Sequence, residues 1–298
     1  MALRLFVAGE SGQVAQSLAT MAPSDVTVGL HGRPNVDITD KDSVAKAVAS
    51  FKPHVVINAA AYTAVDQAED ERDAAFAANE AGPRHLAEVT ADAGIPLIHL
   101  STDYVFDGSG TRPYREDDPT APLGVYGESK LAGEDAVVAA NPKHIIARTA
   151  WVYGSTGKNF LKTMLRVAAS HDELRVVDDQ RGAPTSSDTI AETLLTVAQS
   201  IVGSGDGAPF GLYHLVAAGE ASWADFAQAI FEESAAQGGP SASVMPITTA
   251  EYPTKATRPA YSVLDTTKLR NAFDVILADW REPVGAIVTD VLKEGAPS

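Results

Sequence analysis

No cysteine occurs among the 298 residues of the sequence. Disulfide bonds, thiolate nucleophiles, iron–sulfur clusters and zinc sites built on cysteine are therefore excluded. The seven histidines include no pair spaced three or four residues apart, so no helix can present two imidazoles to one metal ion. We therefore predict that the protein has no metal site.

Positive charge is also scarce. The sequence has 23 lysines and arginines against 39 aspartates and glutamates, which gives a formal net charge of −16. Such an excess of negative charge opposes the extended basic surface that DNA or an anionic membrane would require. We expect neither a nucleic acid nor a membrane as partner, and an anionic small ligand must meet positive charge concentrated at its own site.

Long hydrophobic runs are the third absence. The apolar run at residues 5–8 stops at Gly9, whereas the core of a secretory signal needs roughly 7–15 apolar residues. No run approaches the roughly 20 apolar residues that cross a bilayer as a helix. These absences favour a cytoplasmic protein.

Short apolar runs alternate with helical patterns through the first half of the sequence. The runs lie at residues 3–8, 26–30, 54–58, 95–100 and 144–148. Helices are predicted between them, near residues 12–20, after the potential cap Asp40, at about 74–93 and at 125–140. This alternation is typical of βαβ units, and right-handed crossovers then produce an α/β fold with a doubly wound parallel, Rossmann-like sheet.

The second half of the sequence is less regular. Helices are predicted at residues 160–169, 187–202 and 223–236, and strands at 174–178 and 213–216. After residue 236, repeated prolines predict loops. We therefore predict a dinucleotide-binding domain at residues 1–154, which the chain re-enters near 183–216. Residues 155–298 are predicted to form mostly a smaller, irregular C-terminal substrate domain.

A glycine-containing turn follows the first predicted strand and opens the first predicted helix. Gly9 and Gly12 begin the pattern G-x-x-G-x-x-A, with Ala15 where dinucleotide-binding turns often carry a third glycine. Small residues there let the backbone approach a pyrophosphate, and the helix N-terminus adds free N–H groups and a positive partial charge. By itself, the turn fits a nucleotide site and an ordinary βα connection about equally well.

The second predicted strand ends without the acidic residue that holds the ribose 2′-hydroxyl of NAD in many such folds. Arg33 follows the strand, close to His31. These side chains suit a 2′-phosphate, so we predict NADPH as the cofactor, with NADH as the alternative. The competing interpretation is that Arg33 simply faces solvent, as most loop arginines do.

Tyr126 and Lys130 are four residues apart at the start of a predicted helix, so both project from one face. An ammonium group beside a phenol favours the phenolate and lowers the phenol pKa from its reference of about 10. A phenol tuned in this way can donate a proton to a reduced carbonyl oxygen. Thr102 ends the fourth predicted strand, at the edge where open α/β sheets bind ligands, and can hydrogen-bond the same oxygen. Alone, a tyrosine and a lysine at this spacing are usually a solvated surface pair. Thr102 alone is better explained as a β-branched residue at the end of a strand.

Together these motifs resemble the dTDP-4-dehydrorhamnose reductase family of extended short-chain dehydrogenases/reductases. The segments that carry the resemblance are residues 58–66, 101–108, 125–134, 148–153, 179–185, 211–215 and 258–259. They span nearly the whole sequence. The resemblance implies NADPH-dependent reduction of the C4 ketone of dTDP-6-deoxy-L-lyxo-4-hexulose to dTDP-L-rhamnose, a nucleotide sugar of cell-wall polysaccharide synthesis.

The resemblance also implies roles for individual residues. The implied catalytic set is Thr102, Tyr126 and Lys130. In addition to Gly9 and Arg33, the implied cofactor contacts are Gly12, Gln13, Val14, Asp37, Ile38, Ala59, Ala60, Ala61, Tyr126 and Lys130. The implied substrate contacts are Thr102, Asp103, Tyr104 and Trp151. Asn79 is expected to make structural hydrogen bonds near the site, and the candidate partners of a diphosphate are Lys158, Arg181 and Arg258.

The sequence departs from the family pattern at the first helix, where residues 16–18 lack the acidic side chains by which some members bind a metal and dimerise. We therefore expect no metal and leave open whether the protein is a monomer or a homodimer. Two other functions remain open. A dehydratase or 4-epimerase of the same superfamily is one, although dehydratases carry a second acid where this sequence has Tyr104. A non-catalytic nucleotide-binding regulatory subunit is the other.

Overall fold

The computed structural model describes residues 2–293. The strands are β1 (Leu3–Ala8), β2 (Val26–His31), β3 (Val55–Asn58), β4 (Leu97–Thr102), β5 (His144–Thr149), β6 (Val152–Tyr153), β7 (Glu173–Val177), β8 (Arg181–Gly182), β9 (Thr185–Ser186), β10 (Gly211–His214), β11 (Ala221–Ser222) and β12 (Ser243–Ile247). The α-helices are α1 (Gln13–Met21), α2 (Lys41–Phe51), α3 (Val65–Ala68), α4 (Arg72–Phe76), α5 (Gly82–Asp92), α6 (Val125–Ala140), α7 (Phe160–Ala168), α8 (Ser187–Ser204), α9 (Trp223–Ala236), α10 (Thr267–Phe273) and α11 (Val284–Lys293). A π-helical turn, Ala77–Ala81, joins α4 to α5.

Six strands form a parallel sheet in the spatial order β10-β5-β4-β3-β1-β2. β1 pairs with β2 on one side and with β3 on the other, so the strand order reverses at β1. In open α/β sheets, ligands bind beyond the carboxyl ends of the strands at such a reversal. The predicted doubly wound parallel sheet is confirmed, and its reversal places the ligand edge beyond Ala8 and Asn58.

Alternate residues of β1 enter different hydrophobic cores on the two faces of the sheet. Leu5 and Val7 pack with side chains of α1 and α8, whereas Phe6 and Ala8 pack with side chains of α2, α5 and α6. All four residues are completely buried. Because helices cover both faces, the strands carry continuous apolar runs, which is the pattern seen in the sequence.

A third core lies among α7, α9 and α11. Tyr153, Phe226 and Trp280 are its largest fully buried side chains. By contrast, α8 packs on α1, and β10 extends the main sheet beside β5. These two elements lie in and around the segment where we predicted the chain to re-enter the first domain. The domain boundaries themselves stay a prediction.

Two parts of the element prediction are wrong. The single helix expected at about residues 74–93 is instead α4, the π-helical turn and α5. Pro83 explains the interruption, since it has no N–H to donate to the carbonyl of Asn79. The proline-rich stretch after residue 236 is also more than loops, because it contains β12, which pairs with β7, and is followed by α10 and α11.

Helices with the length and apolarity to cross a membrane do not occur within residues 2–293. The longest helix, α8, spans 18 residues and buries one side against the main sheet's core. Groups of three or more histidine, aspartate or glutamate side chains that could hold a metal ion are likewise not found in this part of the chain.

Candidate active site

The turn after β1 is built for a close backbone approach. Gly9 has φ +112°, a conformation that a residue with a Cβ rarely adopts. A Cβ on Gly9 would lie 2.9 Å from the backbone carbon of Ala59 and 2.9 Å from the backbone nitrogen of Ala60. The turn and the segment after β3 therefore line one narrow cleft, and Gly9 is the residue that allows it.

The N-terminus of α1 opens onto the same cleft. Gly12 is its N-cap, with φ −73° and ψ 149°, and within the described chain no side chain caps this helix and its first turn contains no acid. The first N–H groups are thus available to an anion, as pyrophosphate binding requires. Val14 and Ala15 are buried in the core beneath the turn, so alanine at this position packs against the sheet and leaves the turn clear.

Gln13 has a second connection. Its side-chain Oε1 accepts a hydrogen bond of 2.8 Å from Nδ2 of Asn159, the N-cap of α7. The same Asn159 amide donates to the carbonyl oxygen of Gly154. The predicted cofactor turn is therefore fastened to the chain segment that follows β6.

His31 and Arg33, the two residues that we expected to meet a 2′-phosphate, have different surroundings. His31 stacks on Phe6 with ring centroids 3.9 Å apart and stands edge-on to Phe51. Burial lowers its pKa, and its Nε2 is enclosed without a hydrogen-bond partner among the described residues. The participation of His31 stays a prediction. Arg33 is exposed at the tip of β2 and remains the candidate.

Asp37 and Ile38 follow in the loop that leads to α2. Asp37 accepts hydrogen bonds from the backbone N–H and the hydroxyl of Thr39, and these bonds lower the pKa of its carboxyl. The positive charge of Arg33 contributes in the same direction. A Cβ on Gly82 would overlap the Ile38 side chain, 2.5 Å from its Cδ1, so this loop rests directly on the start of α5.

Thr102, Tyr126 and Lys130 meet where β4 ends beside the first turns of α6. Thr102 is buried, and its Oγ1 donates to Oδ1 of Asp103 and accepts from the N–H of Tyr104. The hydroxyl of Thr102 also lies close enough to the phenol of Tyr126 to influence its pKa. The structure therefore brings together the three residues predicted to be catalytic.

The electrostatics of this trio differ from the expectation. Burial of its phenol group raises the pKa of Tyr126 to about 12, and the nearby hydroxyl of Thr102 only partly opposes this effect. Lys130 is buried and directs its Nζ to the carbonyl oxygen of Leu100 at 2.6 Å. Our expectation that the ammonium lowers the phenol pKa is therefore wrong for this arrangement, because desolvation outweighs any attraction to Lys130. Burial in turn lowers the pKa of Lys130 to about 8, against the charge of Glu134.

Asp103 and Tyr104 adjoin the phenol. Burial raises the pKa of Asp103 to about 6 although the Thr102 hydroxyl hydrogen-bonds its carboxylate. The ring of Tyr104 stands edge-on to that of Tyr126, with centroids 5.4 Å apart. Both residues predicted to bind substrate thus lie close to Tyr126.

Trp151 has a strained backbone conformation. Its φ is +49°, which a bulky residue adopts only when its surroundings enforce it. Its indole stacks on Trp223 with centroids 3.6 Å apart and planes 4° from parallel. Trp223 in turn donates from Nε1 to the side-chain oxygen of Gln180. Sequence reasoning assigned no role to Trp223 or Gln180, although Gln180 lies in the segment of residues 179–185 that carries the family resemblance.

The segment of residues 252–260, hereafter the closing segment, reaches back to the first half of the chain. Nη2 of Arg258 donates to Oδ2 of Asp66 at 2.7 Å, and its guanidinium also hydrogen-bonds the hydroxyl of Tyr104. Lys255 forms a second ion pair with Asp70. Of the three basic residues suggested for a diphosphate, Arg258 is thus the one joined to Tyr104.

The other two candidate partners of the diphosphate have different surroundings. Arg181 pairs with Glu220 at 3.0 Å and approaches Asp225 at 3.9 Å. Lys158 is an exposed residue of the loop before α7. Asn79, by contrast, is fully buried and fastens the site from behind, because its side chain bonds both backbone groups of Tyr62 and the hydroxyl of Ser129.

Comparison with known proteins places this architecture in one family. The family model described as "RmlD substrate binding domain" matches residues 3–293. The dTDP-4-dehydrorhamnose reductase of Sinorhizobium fredii (strain NGR234) is 47% identical over 293 residues, which are 98% of this chain and 99% of that protein. The enzyme of the same name from Escherichia coli (strain K12) is 40% identical over 300 residues, 99% of this chain and 100% of that protein.

A solved structure agrees. The dTDP-4-dehydrorhamnose reductase of Bacillus anthracis in complex with NADP superimposes with a TM-score of 0.88 at 34% identity, covering 97% of this chain and 100% of that one. The family model and the alignments with the two relatives extend over nearly the whole chain. Sequence similarity of this extent shows membership of the family and not only a shared fold. The chain therefore belongs to the dTDP-4-dehydrorhamnose reductase family of extended short-chain dehydrogenases/reductases.

Proposed function

We propose that the protein reduces the C4 ketone of dTDP-6-deoxy-L-lyxo-4-hexulose with NADPH to give dTDP-L-rhamnose. The observation that carries the proposal is the convergence of Thr102, Tyr126 and Lys130 at the carboxyl end of β4, beside the open N-terminus of α1. A proton donor and a pyrophosphate site at one sheet edge are what a pyridine-nucleotide reductase requires. The names of the matched relatives support the choice of substrate.

The residues present fit the cofactor. When bound, NADPH supplies the hydride that C4 of the substrate receives. We assign the pyrophosphate to the turn of Gly9 and Gly12 with the N–H groups of Gln13 and Val14, because this turn has no side-chain cap and no acid. The remaining contacts on the nucleotide are assigned to Asp37, Ile38, Ala59, Ala60 and Ala61, with Arg33 toward the 2′-phosphate and Lys130 toward the nicotinamide ribose. NADH is the alternative donor.

The chain's own groups perform the proton transfer. Tyr126 donates its Oη proton to the C4 oxygen as C4 gains the hydride, and Thr102 holds that oxygen by a hydrogen bond. Because burial keeps the pKa of the phenol at about 12, the proton stays on Tyr126 until the substrate oxygen becomes strongly basic. The ammonium of Lys130 stabilises the phenolate that results, and solvent restores the proton. General acid catalysis of this kind contributes roughly 10²–10⁴ in rate.

The substrate half is assigned to the opposite side of the cleft. The Trp151 indole, backed by Trp223, offers a flat apolar face to the sugar or the base. Asp103 and Tyr104 adjoin the reacting carbon, and Arg258 is the proposed partner of the diphosphate. On this basis residues 1–154 with 183–216 form the cofactor domain and most of residues 155–298 the substrate domain, in an enzyme of the cytoplasm.

The deciding experiment replaces Tyr126 by phenylalanine. We expect kcat to fall by roughly 10²–10⁴ while the Kd for NADPH changes little, since the ring and its packing remain. Loss of NADPH absorbance with the dTDP-ketosugar measures the first quantity, and fluorescence titration the second. Tyr252→Phe is the matched control, because Tyr252 is 59% exposed.

Other outcomes would point elsewhere. A fully active Tyr126→Phe enzyme contradicts the proposal. Product formed without net consumption of NADPH would indicate an epimerase or dehydratase that recycles its nucleotide. Tight NADPH binding with no turnover of any dTDP-ketosugar would indicate a regulatory subunit.

A further inference from the structure

A buried ion pair lies directly behind the proposed catalytic lysine. Glu134 follows Lys130 by one turn of α6, and Arg148 comes from the neighbouring strand β5. The side chains of Glu134 and Arg148 are 5% and 4% exposed. Nothing in the reduction as described so far uses either of them.

Every oxygen of Glu134 is occupied. Oε2 accepts from Nη2 of Arg148 at 2.7 Å, and Oε1 accepts from Nε of Arg148 at 2.9 Å and from the hydroxyl of Ser101 at 2.5 Å. A bidentate guanidinium contact of this kind is among the strong, charge-assisted hydrogen bonds and fixes the orientation of the carboxylate. Ser101 precedes Thr102 on β4, so Glu134 joins the helix of the phenol to the two strands that end at the site.

Stability alone is a weak reason for this arrangement. A buried ion pair often contributes nothing beyond what apolar residues of the same size would contribute, because both charges lose their hydration. The Nζ of Lys130 donates a hydrogen bond to the backbone carbonyl oxygen of Leu100, which carries no charge. Glu134 therefore acts on Lys130 through space, as the carboxylate one helical turn away.

Four other titratable or charged groups lie on the elements packed around this lysine and carboxylate. His99 on β4 feels the charge of Lys130, and burial keeps the pKa of this histidine well below its usual value, so it is neutral in any ordinary assay. Arg148 on β5 keeps its charge. Burial raises the pKa of Tyr126 to about 12 and that of Asp103 to about 6. Glu134 is the carboxyl group whose charge acts on Lys130.

We propose that Glu134 is a positioning residue of the reaction, whose buried charge keeps Lys130 protonated, and that Arg148 and Ser101 hold this carboxylate ionised and in place. The inference rests on the proposed function, because it gives Lys130 a task that only the ammonium form performs. Glu134 touches neither substrate nor cofactor. Its effect reaches the phenol through Lys130.

Two variants separate charge from shape. Glu134→Gln keeps the shape of the side chain and removes its charge, whereas Glu134→Asp keeps the charge and retracts the carboxyl by one methylene. We expect Glu134→Gln to move the alkaline limb of kcat/KM to lower pH by about one unit, the usual scale for losing one nearby opposite charge. In Glu134→Asp we expect the alkaline limb of the pH profile of kcat/KM to keep its position even if the rate falls, because a carboxylate charge remains.

A direct titration removes the dependence on catalysis. Isotope-labelled lysine, assigned through Lys130→Arg, lets NMR follow Lys130 in the chain without substrate, and its pKa is expected to fall in Glu134→Gln by the same amount as the limb. Because Glu134→Gln leaves Arg148 as a buried unpaired charge and can fail to fold, Glu134→Leu/Arg148→Met is the second variant. It replaces the whole pair by apolar residues, and because it also removes the opposing positive charge of Arg148, we expect a downward shift that is smaller than in Glu134→Gln.

The outcomes distinguish this inference from the proposed function. An unchanged pKa of Lys130 in Glu134→Gln and in the double variant overturns the inference, as does a limb that moves in Glu134→Asp but not in Glu134→Gln. If Lys130→Met retains full activity, the proposed role of Lys130 fails while the titration still reports on the ion pair. A shift of the alkaline limb that equals the shift of the Lys130 pKa measured by NMR supports both the inference and the proposed function.

Discussion

Gly133 lies on α6 where this helix crosses the π-helical turn before α5. A Cβ at Gly133 would overlap the backbone carbonyl oxygen of Asn79, the same carbonyl that Pro83 leaves without its usual helical donor. Backbone atoms cannot rotate aside as a flexible side chain can. Gly133→Ala therefore forces α6 and the π-helical turn apart by about 1 Å, which is the scale of overpacking strain.

The expected cost follows from that displacement. Overpacking of this kind costs about 1–3 kcal/mol, and in a chain of this size each kcal/mol lowers the Tm by about 2–4 °C. We therefore expect the Tm of Gly133→Ala to fall by roughly 2–12 °C. Tyr126 and Lys130 lie on the same helix as Gly133. A displacement of this helix by about 1 Å is therefore also expected to lower kcat/KM by up to about 10²-fold.

Gly203→Ala provides the matched control. Gly203 lies in α8, and a Cβ there meets nothing within 4 Å. Alanine at this exposed helical position is expected to stabilise the protein by about 0.5–1 kcal/mol and to leave activity unchanged. Thermal melts followed by circular dichroism, with NADPH-oxidation kinetics on the same samples, measure both variants. If Gly133→Ala melts and turns over like Gly203→Ala, the close approach of α6 to the π-helical turn is not real.

Two further variants test the electrostatics and the closing segment. Since burial raises the pKa of Asp103 to about 6 from its usual value of 3.8, its ionised form costs stability that is fully present above pH 6 and is relieved as the pH falls toward 4. Asp103→Asn should therefore raise the Tm over wild type more at about pH 8 than at about pH 4.5; an equal gain at both would contradict the burial. Arg258→Met removes the proposed partner of the diphosphate, and we expect KM for the dTDP-sugar to rise about tenfold, a loss of about 1.4 kcal/mol. Lys255→Met, which breaks a more exposed ion pair, should change KM less than about twofold in the same kinetics.

Elements with clear local boundaries were predictable from the sequence. Gly124 before α6 and the serine cap before α9 mark the starts that the structure shows, and Asp40 caps α2 by accepting from two backbone N–H groups as expected. The strand β12 was not predictable in the same way, because Pro246 interrupts its pattern. Its existence depends on pairing with β7, about 70 residues earlier in the chain.

The meeting of Thr102, Tyr126 and Lys130 was predictable, because Thr102 ends a strand at the ligand edge of the sheet and the other two residues share one helix face. The pKa and the hydrogen-bond partner of each group were not predictable. The phenol pKa of Tyr126 depends on how much protein encloses it, and the aim of Lys130 depends on a carbonyl 30 residues away. The stacking of Trp223 on Trp151 likewise joins two residues that lie far apart in the sequence and that no local pattern connects. Tertiary packing decides such properties, and spacing along one helix does not.

The contact between Arg258 and Asp66 bridges 192 positions of the sequence. On the ribosome, β1 to β10 can be made and can pair into the six-stranded sheet well before the closing segment has been synthesised. A nascent chain at that stage carries the proposed nucleotide turn and the phenol of Tyr126 but lacks the guanidinium of Arg258, which we propose binds the diphosphate. If these assignments hold, the cofactor site is assembled before the substrate site.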